Sequence, residues 1–319
     1  MLDGYGFGSG GTANSTTSNY ALEGTSGELS GQTSSTATYS VKPGFVETEQ
    51  ANVPKISSLN NASGVYYNKL HFVIDEQNNP SDALYALSIS TDNFVSNVNY
   101  VKSDLTVGAS LTLADYKTYT NWGGASGANI VGLSPNTTYY LRAKATQGKF
   151  TESGYGPVMS ATTANPSLSF SVTTSPINIG SLIAGTVVDA PSTVDITFAT
   201  NASSGGDVYI NGKNTGLFSL SKTATITSAT GDLSVLSRGF GARVTATGST
   251  SGSFASVSPY NGVSNNVGLT DTVIRRIITA TGPIVGGTGS VLLKAKSAST
   301  DPASTDYTET ITMLASDSF

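Results

Sequence analysis

The 319-residue chain contains no cysteine and a single histidine. The absence of cysteine excludes disulfides, thiolate metal sites and thiol nucleophiles, and a lone histidine excludes sites that need two imidazole ligands. Charged residues form 12% of the chain, about half of the usual ~25%. The net charge is −5, which argues against nucleic acid as a partner because that binding needs a basic surface.

The sequence also lacks any run of about 18 apolar residues, so we expect no transmembrane segment. Residues 1–30 have neither a basic start nor an apolar core, and we therefore expect that a signal peptide has been removed. A chain rich in Ser, Thr and Gly and poor in charge is typical of bacterial surface proteins. These features predict an extracellular protein of the cell surface that needs no cofactor.

Residues 1–53 form a Gly/Ser/Thr-rich extension that carries most of the net negative charge. Within it, residues 17–22 resemble residues 36–41, and each copy alternates an aromatic and an aliphatic side chain as a strand does. Such short strands are stable only when they pair with another sheet. We therefore predict an assembly role for the apolar side chains of this extension, which are Tyr5, Phe7, Tyr20, Leu22, Tyr39 and Val41.

Residues 54–164 read as an all-β domain, because apolar and polar residues alternate in several short segments bounded by turn residues. Leu133, Pro135 and Tyr139 fit the pattern Leu-x-Pro-x-Thr-x-Tyr, which resembles the E–F corner of fibronectin type III domains. The resemblance implies a tyrosine corner, in which the Tyr139 hydroxyl bonds to backbone upstream. That family usually carries a Trp on strand B, where this chain has Phe72, so the role of Trp122 is open.

Residues 165–319 read as a second all-β domain that begins at Asn165-Pro166. Its final strand resembles the closing strand of immunoglobulin-like modules, although its size fits an expanded sandwich or a jelly roll equally well. Asn211-Gly212 predicts a hairpin turn. Strands are predicted over residues 169–173, 177–183, 193–200, 207–210, 242–247, 273–279, 291–296 and 307–314. The predicted fold class is thus all-β, with tandem β-sandwich domains after an N-terminal strand extension.

Three aromatic residues, Tyr116, Tyr119 and Trp122, lie close together in one predicted loop. Exposed rings bind sugars by stacking, so this segment is a candidate contact for surface glycans. The alternative is that the rings pack inside the sandwich or between the two domains.

Arg275 and Arg276 lie within an apolar predicted strand, so alternation places one guanidinium on each face of the sheet. A charge among apolar neighbours needs a partner. One interpretation is a long stem that reaches solvent at the sheet edge. The other is a docking point for a carboxylate from another subunit.

Other chemistry is less well supported by the sequence. His71 has no marked acid or nucleophile beside it, and no pair of carboxylates flanks a predicted cleft, so we expect no enzymatic activity. The acidic residues between Asp75 and Asp82 read as a solvated turn, with a calcium site as the alternative. Lysines in predicted strands are candidates for isopeptide bonds with Asn or Asp, as in some pilins; these are Lys69, Lys144 and Lys294.

These observations predict a structural subunit of a bacterial surface filament or sheet, which self-associates when its N-terminal extension adds strands to a neighbour. The rival interpretation is a monomeric adhesin or stalk module, with surface glycans as its ligand.

Overall fold

A computed structural model describes residues 51–147, 151–173 and 176–319, together with four two-residue strands nearer the N-terminus. β1 (Ser15–Thr16) pairs with β2 (Ala21–Leu22), and β3 (Ser34–Ser35) pairs with β4 (Ser40–Val41). The second hairpin starts 19 residues after the first (15 to 34), which is the spacing of the sequence repeat. The repeat therefore corresponds to two similar hairpins.

The chain divides into two compact units, Met1–Asn165 and Pro166–Phe319. The division falls at the Asn165-Pro166 step, where the sequence predicts the second domain to begin. Both units are antiparallel β-sandwiches, and each has a hydrophobic core of its own.

The described part of the first unit beyond residue 50 contains two antiparallel sheets, of order β11-β6-β5 and β13-β12-β7-β8-β9. In the second sheet β14 also pairs with β12, and β10 pairs with β7. The strands are β5 (Lys55–Asn60), β6 (Lys69–Asp75), β7 (Leu84–Ser90), β8 (Asn99–Val101), β9 (Val107–Gly108), β10 (Lys117–Thr118), β11 (Ala128–Val131), β12 (Thr138–Gln147), β13 (Thr151–Glu152) and β14 (Met159–Thr162).

The alternation of buried and less buried side chains along β6 and β12 shows which face of each strand points into the core of the first unit. In β6 every second side chain is buried, beginning with Leu70 and Phe72, while His71 lies on the opposite face. In β12 the side chains of Leu141 and Ala143 point inward in the same way. Because successive strand residues face opposite sides of a sheet, the residues between them, including Arg142, form the outer face.

The second unit has one sheet of order β15-β17-β26-β16, in which β22 also pairs with β26, and another of order β23-β25-β18-β27. Two small ribbons, β19–β20 and β21–β24, complete the unit. The strands are β15 (Leu168–Val172), β16 (Val187–Asp189), β17 (Val194–Thr200), β18 (Gly206–Gly212), β19 (Gly216–Ser219), β20 (Ala224–Thr227), β21 (Gly231–Asp232), β22 (Gly239–Gly248), β23 (Phe254–Ser256), β24 (Asn266–Val267), β25 (Arg275–Ala280), β26 (Ile284–Lys296) and β27 (Ile311–Asp317).

Two local sequence predictions for this unit are wrong. No strand forms within residues 177–183, because Gly180 has φ +85 and its N–H bonds to the Asn178 side chain. Ile177 and Ile179 still pack against the core. Asn211-Gly212 is not a hairpin turn, since both residues lie in β18 and pair with β27.

The helical content of the described residues is three short 3₁₀ turns, at Leu113–Asp115, Thr120–Trp122 and Gly124–Ser126. Across that part of the chain, no helix combines the length and apolarity that a membrane crossing requires.

Candidate functional site

Most of the predicted assembly residues lie outside the described residues, namely Tyr5, Phe7, Tyr20 and Tyr39. Leu22 belongs to β2 and Val41 to β4. The backbone partners of these two residues are Ser15 and Ser34, so the pairing is within each hairpin.

Arg275 and Arg276 both have partners inside their own unit. Arg275 makes a two-pronged contact with Asp271, with Nε–Oδ1 at 3.2 Å and Nη2–Oδ2 at 2.9 Å. Arg276 lies 3.5 Å from the Asp207 carboxylate, and its side chain is about half exposed. The carboxylates that the sequence hypothesis sought in another subunit are therefore supplied by the same chain.

Trp122 is not a surface ring, which corrects the sugar-stacking prediction for this residue. Only 1% of its surface is exposed, and its Nε1 donates a 2.8 Å hydrogen bond to the carbonyl of Tyr85. The indole meets Phe72 edge to face, with ring centroids 5.9 Å apart. Tyr119 is partly buried against the same core. Of the three rings, only Tyr116 lies on the outer face of β12, beside Lys144.

The residues of the Leu-x-Pro-x-Thr-x-Tyr pattern are placed by hydrogen bonds at the start of β12. The Tyr139 hydroxyl accepts a 2.9 Å bond from the backbone N–H of Ser134. Leu133 is buried, and its N–H donates to the Asn68 carbonyl at 2.8 Å. Pro135 is exposed between them. This is the geometry of a tyrosine corner.

The outer face of β12 carries a stack of cations and aromatic rings. The guanidinium carbon of Arg142 lies 3.9 Å from the ring centroid of Phe94 and 4.0 Å from that of Tyr155. A planar guanidinium packs face to face with such rings. The Tyr155 hydroxyl accepts a 2.8 Å bond from Ser88 on β7, which fixes that ring over the sheet.

Arg142 and its neighbour Lys144 differ in their polar contacts. The Nε of Arg142 is buried and has no hydrogen-bond partner among the described residues. The ion pair on this face joins Lys144 to Glu152, at 2.6 Å. A guanidinium held flat between two rings can present its terminal N–H groups to a planar anion.

Lys144 continues the stack but is paired. Its Nζ donates to Glu152 at 2.6 Å and lies 5.6 Å from the Tyr116 ring centroid, and the Tyr116 hydroxyl donates to Glu152. Burial acts to lower the pKa of Lys144, but the contacts with Glu152 and Tyr116 outweigh it and raise the pKa. Burial acts to raise the pKa of Glu152, and its bonds from Lys144 and Tyr116 reverse this and lower it.

Sequence reasoning did not identify the stack of Phe94, Arg142 and Tyr155. One signal was present, since Tyr140, Arg142 and Lys144 alternate with the buried residues of a predicted strand. The rings come from two other segments, at positions 94 and 155, and no local pattern connects them with β12.

The described residues contain no group of three or more His, Cys, Asp or Glu side chains that would hold a metal ion. In the segment weighed for calcium, Asp75 pairs with Lys55 at 3.2 Å and accepts the Gln77 N–H at 3.0 Å. Its pKa is lowered chiefly by that backbone bond. Nδ1 of His71 lies 3.2 Å from Oδ1 of Asn129 on the neighbouring strand.

No protein-family model and no curated protein matches the sequence. Among solved structures, chitinase ChiA74 from Bacillus thuringiensis is similar at 12% identity and a TM-score of 0.18, over 82% of this chain and 28% of the chitinase chain. A chaperone–tip adhesin complex of CFA/I fimbriae biogenesis is similar at 10% identity and a TM-score of 0.29, over 82% and 79% of the two chains. This chain therefore spans little more than a quarter of the chitinase.

Proposed function

We propose that this protein is a non-catalytic, extracellular binding protein of the bacterial surface, and that the outer face of β12 binds an acidic glycan through a carboxylate. The observation that carries the proposal is the Arg142 guanidinium, which two aromatic rings flank within 4.0 Å.

The chemistry favours a carboxylate over a neutral ligand. A guanidinium presents its N–H groups as a rigid fork that matches two carboxylate oxygens, and flanking rings keep the fork from rotating. Phe94 and Tyr155 therefore pre-organise the cation, which reduces the entropy lost on binding. Lys144 is already paired with Glu152, so the proposal assigns the ligand contact to Arg142.

A fibronectin type III-like scaffold for the first unit is part of the same proposal. The three-stranded sheet β11-β6-β5, the sheet that contains β14, β12, β7 and β8, and the Tyr139 corner support it. Such sandwiches commonly position binding surfaces on a rigid framework.

The experiment is to apply the full chain to an array of neutral, uronic-acid, sialylated and sulfated glycans. We expect binding to carboxylated glycans. Arg142→Lys retains the charge but loses the planar fork, so the best ligand should bind about 10- to 100-fold more weakly, as for loss of a hydrogen bond between charged groups.

Arg276→Lys is the matched control, because this arginine is exposed and already lies near Asp207. It should bind as the unaltered chain does, and both variants should be checked for an unchanged melting temperature. Absence of binding to every acidic glycan, or equal binding by Arg142→Lys, would refute the proposal and leave the stack as a structural feature.

The second candidate is the assembly role, and the repeated hairpins favour it. β1–β2 and β3–β4 are two-residue ribbons, which are too short to be stable unless they pack against another surface. A neighbouring subunit would supply that surface, and an interface of this head-to-tail kind need not close.

Electron microscopy and light scattering of the full chain and of a chain that lacks residues 1–50 test this candidate. Filaments that disappear on truncation are the expected result. Monomers from both chains would reject assembly through the extension while leaving the glycan proposal intact.

A further inference from the structure

A buried lysine in the second unit lies against two groups with which it can react. The side chain of Lys294 is only 4% exposed. Its Nζ is 2.5 Å from Oδ1 of Asp189 and 3.2 Å from Oδ1 of Asn265. A buried amine that touches both a carboxylate and a carboxamide has the three groups that amide exchange requires.

The fold brings these groups together from three separate segments. Asp189 on β16 is the direct cross-strand partner of Lys294 on β26, and Gly241 on β22 is its partner on the other side. A side chain at Gly241 would meet Val267 at 2.7 Å, so the absence of one allows the segment just after Asn265 to lie over the sheet. The carboxamide is thereby placed above Lys294.

We propose that Lys294 and Asn265 form an intramolecular isopeptide bond, with Asp189 as the group that takes up the proton. The cross-link would join β26 to the segment that precedes β24. It goes beyond the binding and assembly roles above and does not depend on either of them.

The reaction balances without an oxidant or a cofactor. The Lys294 ammonium gives one proton to the Asp189 carboxylate, and the free Nζ lone pair attacks Cγ of Asn265. The tetrahedral carbon then expels Nδ2, which takes the second proton from Nζ and leaves as ammonia. One C–N bond forms, one C–N bond breaks, and the product is a neutral secondary amide beside a protonated Asp189.

Asn265 is the acceptor because a carboxamide is a better electrophile than an ionised carboxylate. The Asp189 side chain is 52% exposed, so it is in contact with solvent. Exposure also lets Asp189 return its proton to solvent once the amide has formed.

Three other lysines in the described part of the chain lack this arrangement. Lys296, two residues further along β26, donates to the backbone carbonyls of Ser234 at 3.1 Å and Leu236 at 2.7 Å. Lys144 pairs with Glu152, and Lys69 lies over the Tyr66 ring at 4.4 Å. Of the three lysines that the sequence suggested for this chemistry, only Lys294 touches both an Asn and an Asp.

The test is the intact mass of the denatured full chain, followed by peptide mapping. We expect a mass about 17 Da below the calculated value, equal to one ammonia, and one branched peptide that joins Lys294 to Asn265. Lys294→Arg and Asp189→Asn should both have their calculated masses. Lys296→Arg, the matched control, should retain the deficit.

Each alternative result overturns the proposal. A calculated mass for the unaltered chain means that no bond forms, and this reading does not depend on whether any variant folds. A deficit of about 18 Da means loss of water and a bond to Asp189 instead. A 17 Da deficit that persists in Lys294→Arg means cyclisation at an Asn-Gly step, such as Asn211-Gly212 or Asn261-Gly262.

Discussion

At the scale of single residues, the large rings in the core of the first unit come from different elements. Phe72 lies on β6 in the core of the first unit, and Trp122, the single Trp of the sequence, comes from a different segment of the chain. Trp122 lies in the same core, where its ring packs edge to face against Phe72 and its Nε1 donates a hydrogen bond to the Tyr85 carbonyl. Two large side chains from different elements thus pack together in the core of the first unit.

The Tyr139 corner leads to a prediction about stability. Tyr139→Phe removes the acceptor for the Ser134 N–H and should reduce the free energy of unfolding by about 0.5–1.5 kcal/mol, the usual net value of one hydrogen bond. Urea unfolding at neutral pH measures this loss. Tyr140→Phe, on the opposite face of β12, is the control and should change stability by less than about 0.5 kcal/mol. Equal losses from both variants would contradict the structural role of the hydroxyl.

At the scale of the strands, a glycine can mark either a turn or the close approach of another backbone, and the sequence alone does not distinguish the two. Asn211-Gly212 predicts a turn, yet both residues continue β18 because β27 pairs with them along their whole length. The glycine is needed for a different reason, since a Cβ at Gly212 would lie 2.3 Å from the carbonyl oxygen of Thr270. The close approach of another backbone, and not a chain reversal, explains why position 212 is a glycine.

The same reasoning predicts the effect of a substitution in the loop between β13 and β14. A Cβ at Gly156 would lie 1.8 Å from the carbonyl oxygen of Pro54, and the Gly156 N–H bonds to Ala143 at 2.8 Å. Gly156→Ala should therefore destabilise the first unit by about 1–3 kcal/mol, the cost of overpacking. Gly154 has no atom within 4 Å of its Cβ position. Gly154→Ala should be neutral or slightly stabilising in thermal unfolding, and a similar cost at both positions would contradict the close-contact explanation.

At the scale of the whole molecule, two sandwiches with separate cores follow each other along one chain. The cores differ in composition. The first is built around Trp122, Phe72 and Tyr85, whereas the second contains a stacked pair, Phe198 and Phe254, with centroids 5.2 Å apart. The two proposed sites are also divided between the units, with the ligand face on the first and the cross-link in the second.

The sequence by itself determined the all-β class and the tandem order of two sandwiches, because alternation and turn residues are local properties that neighbouring residues carry. The tertiary structure alone decided which side chains meet. Asp189 and Lys294 are 105 positions apart and Asn265 and Lys294 are 29 apart. Arg142 likewise meets rings from two distant loops. Such contacts depend on strand order and register, which short-range periodicity does not encode.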